Sequence, residues 1–469
     1  MAAVGYSYRS NGRIYHATLT HQVQSPDLDA ALRQYNKAVN ALQQYINAVV
    51  EHGAAIEPVL LSSILLTCYE VMLDRKGSAQ AHYRLGRRIV AQSQKAANRK
   101  SPCSSPSLNA IKQLAAAFWS LDTGGEYYWN QSERVVRSSS STQRKIPGSI
   151  PSTFVSFIEA DMYLEGLVRA GQNVRNDLVT LAQKHVSRIH SPPLNPLAMF
   201  CLANCLSRSI EIPNRLQHRL DEIFSAHLSW MTKLRALSSR NHTTHDQISL
   251  LTQVRYFSSW LVLSTCRETK ETLIDRFEPD FVRVLDLTER YLREASGRPQ
   301  PVPPPQMCVA NGLSFEGGIL PALHLIACKS RSSVIRRRAT TFLRSANRQE
   351  LTCHSGVIGS VVVCVAELEE QQSRSIRGDA APALLDFKSE QVPEEARFAD
   401  CVMKINMAPG PSVGCASFSF AFARYLHDQE GRIEITQYCS KESAGSLRLE
   451  SRAVYDCSAK EDGVLLSVA

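Results

Sequence analysis

A chain of 469 residues, 44% hydrophobic and 21% charged, is long enough for two or three domains or for one large helical array. Its formal charge of +9 is spread along many segments rather than gathered in a patch, which argues against a dedicated nucleic-acid surface. Thirteen cysteines, an odd number without repeating spacing, argue against a secreted disulfide framework and for free thiols in a reducing compartment. The N-terminus lacks the apolar run of a signal peptide. The longest apolar stretch, 356–368, is too short to span a bilayer and runs into Glu369 and Glu370. Two glycosylation sequons, at Asn130 and Asn241, are of a kind common by chance.

Residues 1–27 are polar and aperiodic, an irregular N-terminal segment. From 28 the helical period sets in. Leu32, Tyr35, Ala38, Val39, Leu42, Tyr45, Ile46 and Val49 form one apolar face, with Gly53 as a stop. Pro58 suits the first turn of a second helix, whose Val59, Leu60, Ile64, Leu65, Cys68, Val71 and Met72 predict deep burial. A third helix, about 79–97, is expected to turn Tyr83, Leu85, Ile89 and Val90 inward and Arg84, Arg87, Arg88 and Lys95 outward. A break at 101–109, a helix over 108–121 and a long loop over 122–150 follow. The helical period returns over 153–191, with Gly171 as a point of division. Pro196 and Pro213 introduce two further helices, and 246–266 and 272–294 read as two more. The proline run 297–305 predicts a stiff linker that separates this helical body from the next segment.

In that segment, Gly317-Gly318 opens an apolar helix that Lys329 and Ser330 close. A second helix carries Arg336, Arg337 and Arg338, and the brief connection predicts an αα-hairpin. One more helix spans 357–373. The tail alternates in a β-prone way over 396–407, 413–423 and 432–437, interrupted by Pro409-Gly410-Pro411. The expected fold is all-α: a multi-helix array of packed helix hairpins over 28–373, with a small C-terminal β-hairpin or meander over 394–440 and a flexible end at 441–469.

Few residues invite chemistry. Cys201 and Cys205 share one helical face, but zinc needs four ligands and no second pair stands at suitable spacing, so packing is favoured. His242, His245 and Asp246 lie in a polar break where Asp246 suits a helix cap. Cys353 and His354 are adjacent, so their side chains diverge rather than pair for nucleophilic work. Nucleophile-elbow, P-loop, zincin and dinucleotide-binding signatures are all lacking. On a helix, Arg336 to Arg338 fan over about 200° and cannot converge on one phosphate. One of them is expected to point inward and the others to face solvent. No catalytic, cofactor or metal residues are assigned.

Two distant blocks carry a family resemblance. The first comprises AALRQYNKAVNALQQYI (30–46) and VLLSSILLTCYEVMLDRKGSAQAHYRLGRRIV (59–90), the latter with His82, Gly86 and Ile89. The second is GGILPALHLIACKSRSSVIRRRATTFLRSANRQE (317–350), with Gly318, Pro321, Leu323, Ala327, Ile335, Arg336, Arg337, Arg338, Ala339 and Leu343. Both, in this order, resemble the regulatory region of fungal zinc binuclear cluster transcription factors, over roughly 30–370. The resemblance implies a helical regulatory domain, nuclear location, partners among other transcription regulators or a second copy of the chain, and no enzymatic activity. Members carry six cysteines near the N-terminus that hold two zinc ions and read DNA. Residues 1–58 here contain none. No zinc and no direct DNA contact are therefore expected of this chain, whether it is a free-standing regulator or lacks a front end. Ion pairs from Arg336 to Arg338 are expected to fix the hairpin on the body. The alternative is a helical-repeat interaction scaffold unrelated to transcription, although no repeat of fixed period is convincing. An enzyme on a helical fold would need clustered titratable groups, which the residues offer only weakly.

Overall fold

In a computed structural model of the chain, the residues described are 26–52, 56–72, 76–99, 150–189, 195–240, 247–295, 312–314, 318–346, 348–350, 353–378, 388–406, 417–426, 432–440 and 447–456. The expected helix 108–121, the loop 122–150 apart from Ile150, the proline linker 297–305, Gly317 and the His242–Asp246 cluster lie outside them. The described part is mostly helical, with a four-stranded antiparallel sheet near its C-terminal end. No helix in it is long and apolar enough to cross a membrane.

Helices α1 (Pro26–His52), α2 (Glu57–Met72) and α3 (Lys76–Arg99) pack in sequence order. The α1 stripe is half-buried, and its Tyr35 ring stacks on Tyr69 at 4.5 Å. Ala38, expected on that stripe, is exposed. In buried α2 the Ser63 and Thr67 hydroxyls donate back to the carbonyls of Val59 and Ser63, which satisfies them without an external partner. The α3 stripe is Ala79, Tyr83, Gly86 and Val90, a three-and-four series. Leu85, expected inward, is 43% exposed because it falls about 200° round the helix from Tyr83.

The main body contains α4 (Phe157–Ile189), α5 (Pro196–Ser209), α6 (Asn214–Arg240), α7 (Gln247–Thr265), α8 (Glu278–Ala295), α9 (Leu320–Lys329), α10 (Ser333–Ser345) and α11 (Ser355–Arg377). Its largest core centres on Trp230 and draws side chains from α4, α6, α7, α8, α9, α10 and α11. The Trp230 indole stacks on Tyr256 at 5.0 Å and donates its N–H to the Ala160 carbonyl at 2.8 Å, so a large ring is buried with its polar atom satisfied. Gly171 does not divide α4. A Cβ there would lie 3.0 Å from Leu263, so the glycine permits close approach of α7. The expected helix 272–294 instead begins as a 3₁₀ turn, Glu271–Phe277, before α8. Pro279 supplies the reason: it lacks an N–H, and its ring would clash with the carbonyl of Asp275 in a continuous α-helix. Helices α9 and α10 share the core of α4, α7 and α8, so no separate body follows residue 305.

Three short strands, β1 (Gly312–Ser314), β2 (Arg348–Glu350) and β3 (Cys353–His354), form a small sheet in the order β1-β2-β3. The larger sheet is a meander of β4 (Asp400–Asn406), β5 (Ser417–Leu426), β6 (Arg432–Ser440) and β7 (Leu447–Asp456). Strand β7 lies in the stretch expected to be flexible and pairs with β6 along its length, with a bulge at Gln437/Tyr438. Alternation gives the sheet two buried faces. Ala421, Ala423, Ile433, Ile435 and Tyr455 pack on α5. Phe422 points the other way, onto Val361 and Val365 of α11.

Candidate functional site

The helical body meets the sheet at a buried cluster of charges. Arg208 ends α5, Glu271 opens the 3₁₀ turn, Lys329 ends α9, Arg331 lies in the α9–α10 connection, Arg336 is on α10 and Glu369 is on α11; all are buried or nearly so. The Arg208 Nη1 donates to Glu271 Oε1 at 2.6 Å. Lys329 Nζ donates to both Glu271 oxygens, at 2.9 and 3.0 Å. Arg331 lies 3.2 Å from Glu271 Oε2 through Nη1 and donates to Glu369 Oε1 at 2.9 Å through Nη2, so it joins the two carboxylates. Arg336 donates to the other Glu369 oxygen.

Four cations thus face two carboxylates. Main-chain carbonyls supply further acceptors, and they belong to the segment that enters the sheet. Ala399 O accepts from Lys329 Nζ at 2.6 Å and from Arg208. Phe398 O accepts from Arg331 at 3.0 Å, and Phe398 N–H donates to Glu369 at 2.7 Å. Beside them, buried Arg397 donates to Asp275 at 2.7 Å and to the carbonyls of Val392, Ser389 and Glu271. Glu394 in turn accepts from the Glu271 and Thr272 N–H groups, closing the start of the 3₁₀ turn.

The electrostatics follow from this arrangement. Burial alone would raise the Glu271 pKa, but Lys329, Arg208 and Arg331 outweigh it and hold the carboxyl at about 2. Glu369 is likewise kept below its ordinary value, with burial overcome by Arg331, Arg336 and the Phe398 N–H. Lys329 is pushed below its ordinary value by burial and by Arg208 and Arg331, against the pull of Glu271. Guanidinium groups do not exchange protons at physiological pH. The two carboxylates are thus held in their charged form, and the cluster acts as a latch that grips the backbone of 398–399.

A further carboxylate works at the other end of α9. Buried Glu350, on β2, accepts from the N–H groups of Gly318, Ile319 and Leu320 at 2.8, 2.9 and 3.0 Å. These are orphan donors at the helix start, where negative charge is favoured. Arg348 Nε donates to the same carboxylate at 2.7 Å. A Cβ on Gly318 would lie 2.2 Å from Glu350 Oε1, so the glycine makes room for the capping group.

The residues singled out by sequence fall into two groups. Gly318, Pro321 and the arginine run lie in the layer of α9 and α10, whereas His82 and Gly86 lie on α3. Half-buried His82 is 3.4 Å from the Tyr35 hydroxyl, and burial lowers its pKa despite nearby Glu70. Pro321 is exposed in the first turn of α9, a position that needs no N–H partner. The three arginines diverge. Arg336 goes inward to Glu369, Arg337 is exposed, and half-buried Arg338 donates to Glu289 and pairs with Asp286, both at 2.7 Å. Leu323, Ala327, Ile335, Ala339 and Leu343 are buried, which makes the second block a packing motif.

Cys201 and Cys205 are free, buried thiols packed against the sheet. Cys353 and His354 form the short strand β3. His227 is fully buried, with Nδ1 on the Ile223 carbonyl at 2.9 Å and Nε2 3.0 Å from Ser259 Oγ. That Ser–His contact ties α6 to α7. Among the described residues, no group of three or more His, Cys, Asp or Glu side chains is arranged to hold a metal ion.

Sequence reasoning missed Arg208, Glu271, Glu350 and Glu369. Only Glu369 left a signal: it continues the inward series Val361, Val365 at four-residue spacing, a carboxylate where an apolar residue belongs. No family model matches the chain, and no curated protein or solved structure is detectably similar to it.

Proposed function

We propose that the chain is the helical regulatory domain of a transcription regulator of the fungal zinc-cluster type, working in the nucleus through a protein partner, a second copy or a small effector. The observation that carries this reading is the second resembling block. Its apolar positions fill the body's core, and its basic positions Lys329, Arg331 and Arg336 form the latch to the sheet. A block used throughout for packing suits a domain that holds a surface in place, and it gives no support to catalysis. The finer architecture we read is an array of helix hairpins, with α9 and α10 as one pair joined by 330–332; their mutual packing supports it. Residues 1–58 contain no cysteine, so the chain as given has no ligand set for the family's zinc cluster, and DNA contact belongs to a partner or to another module.

The test is a reporter assay. The chain is fused to a heterologous DNA-binding domain in a fungal host, and reporter output is compared with that of the DNA-binding domain alone. A reproducible rise or fall, altered by Arg336→Ala and not by Arg337→Ala, supports regulation. Output equal to that of the DNA-binding domain alone, with the fusion expressed and nuclear, overturns it.

A further inference from the structure

A serine or threonine with basic residues both two and three positions ahead of it occurs twice in the chain. The two stretches are Arg75-Lys76-Gly77-Ser78 and Arg337-Arg338-Ala339-Thr340. This spacing suits a protein kinase whose acidic groove receives the two cations and aims the hydroxyl at its nucleotide. The fold treats the two differently. Thr340 is half-buried within α10, and its hydroxyl donates to the Arg336 carbonyl at 2.9 Å. Arg338, one of its two basic neighbours, is engaged by Asp286 and Glu289. Ser78 is exposed at the third position of α3, in a turn whose N–H groups have no intrahelical partner. Such a turn opens at lower cost than a helix interior. Gly77 beside it is exposed too, and a Cβ there would meet nothing within 4 Å among the described residues.

We propose that Ser78 is a phosphorylation site for a kinase that selects basic residues ahead of its serine, and that the phosphate acts on His82. In the transfer, Ser78 Oγ bonds to the γ-phosphorus of ATP held by the kinase. The bond from that phosphorus to the bridging oxygen breaks, ADP leaves with the electron pair, and the hydroxyl proton passes to the kinase's catalytic carboxylate.

The product fits its surroundings. Helix α3 has no acidic residue in its first turn, where negative charge is favoured. The phosphate supplies about −1.5 to −2 charges near neutral pH. His82 follows one turn after Ser78 on the same side of the helix. It lies 3.4 Å from the Tyr35 hydroxyl of α1, and burial lowers its pKa. A dianion one turn away favours the charged imidazole and opposes that burial. Phosphate on Ser78 thereby reaches the contact between α1 and α3.

The test uses the full chain and does not depend on the regulatory reading, because the label is read directly on Ser78. Folded protein is incubated with ATP and the catalytic subunit of cyclic-AMP-dependent protein kinase, and phosphopeptides are mapped by mass. Ser78 should be the dominant site, labelled about tenfold or more faster than Thr340. Replacing both Arg75→Ala and Lys76→Ala, in protein folded by circular dichroism, should slow that label about tenfold or more. In the phosphorylated chain the His82 imidazole, followed by NMR, should titrate about half a pH unit or more above its value in the unmodified chain. The site is overturned if the folded chain takes no phosphate on Ser78, or if Thr340 is labelled as fast. It is overturned equally if the Arg75→Ala, Lys76→Ala protein is labelled at the wild-type rate. An unmoved His82 in fully phosphorylated protein would overturn the coupling to α1.

Discussion

Replacing Glu271 by glutamine keeps the shape of the side chain and removes its charge, leaving Arg208, Lys329 and Arg331 around a neutral amide. The size of the effect follows from the carboxyl itself. Its pKa falls from 4.5 to about 2 on folding, which at about 1.4 kcal/mol per unit amounts to about 3 kcal/mol of stability. Removing one partner of a buried ion pair typically costs about 3–5 kcal/mol, in line with that figure. Because the pKa is lower in the folded chain, the contribution is complete above about 4.5 and is lost as the pH falls toward about 2. Urea unfolding followed by circular dichroism should therefore show Glu271→Gln destabilised by about 3 kcal/mol at pH 7, with a shallower loss of stability than wild type as the pH falls below about 4.5. A loss of less than about 1 kcal/mol, or an acid profile identical to wild type, would refute the view that Glu271 is the charged centre of the latch.

Two further comparisons separate placement from mere composition. Arg336→Ala should destabilise by about 3 kcal/mol, because Glu369 loses a buried partner, whereas exposed Arg337→Ala should change stability by no more than about 0.5 kcal/mol; equal effects in denaturation would contradict the inward assignment of Arg336. Gly318→Ala should cost about 2 kcal/mol by forcing Glu350 off the start of α9, and Glu350→Ala a similar amount by leaving three N–H groups uncapped. The double variant should lose clearly less than the sum of the two, and simple additivity would show that the clash and the cap are unrelated.

The helices were legible where one face is apolar. Tyr83 and Val90 announce α3, and Leu220 and Ile223 announce α6, because burial and the 3.6-residue period act on the same residues; Leu228, expected on the same α6 face, is exposed. The β-tail was legible through alternation as far as β6. Strand β7 went unread although Leu447, Arg448, Leu449 and Glu450 also alternate, because its pairing depends on a bulge across from Gln437 and Tyr438. The latch was legible least. Arg208, Glu271, Glu369 and Ala399 are far apart in sequence, and a charged side chain reads as surface until its partner is known. Of the run Arg336 to Arg338, geometry on a helix required divergence, but only the position of Glu369 determines which arginine turns inward.

The grip of the latch on Phe398 and Ala399 carries a consequence for biogenesis. A chain is made from its N-terminus, so Arg208, Glu271, Lys329 and Arg331 all emerge before the backbone that completes their bonding. Until that segment arrives, two carbonyl acceptors for three cations are missing, and the apolar flank of α5 that later receives Ala421, Ala423 and Ile435 is bare. The latch and the sheet-facing flank of α5 are thus completed only once residues 398–435 have been made and packed. Newly made chains should accordingly depend on chaperones for as long as synthesis takes to pass residue 399 and complete the sheet.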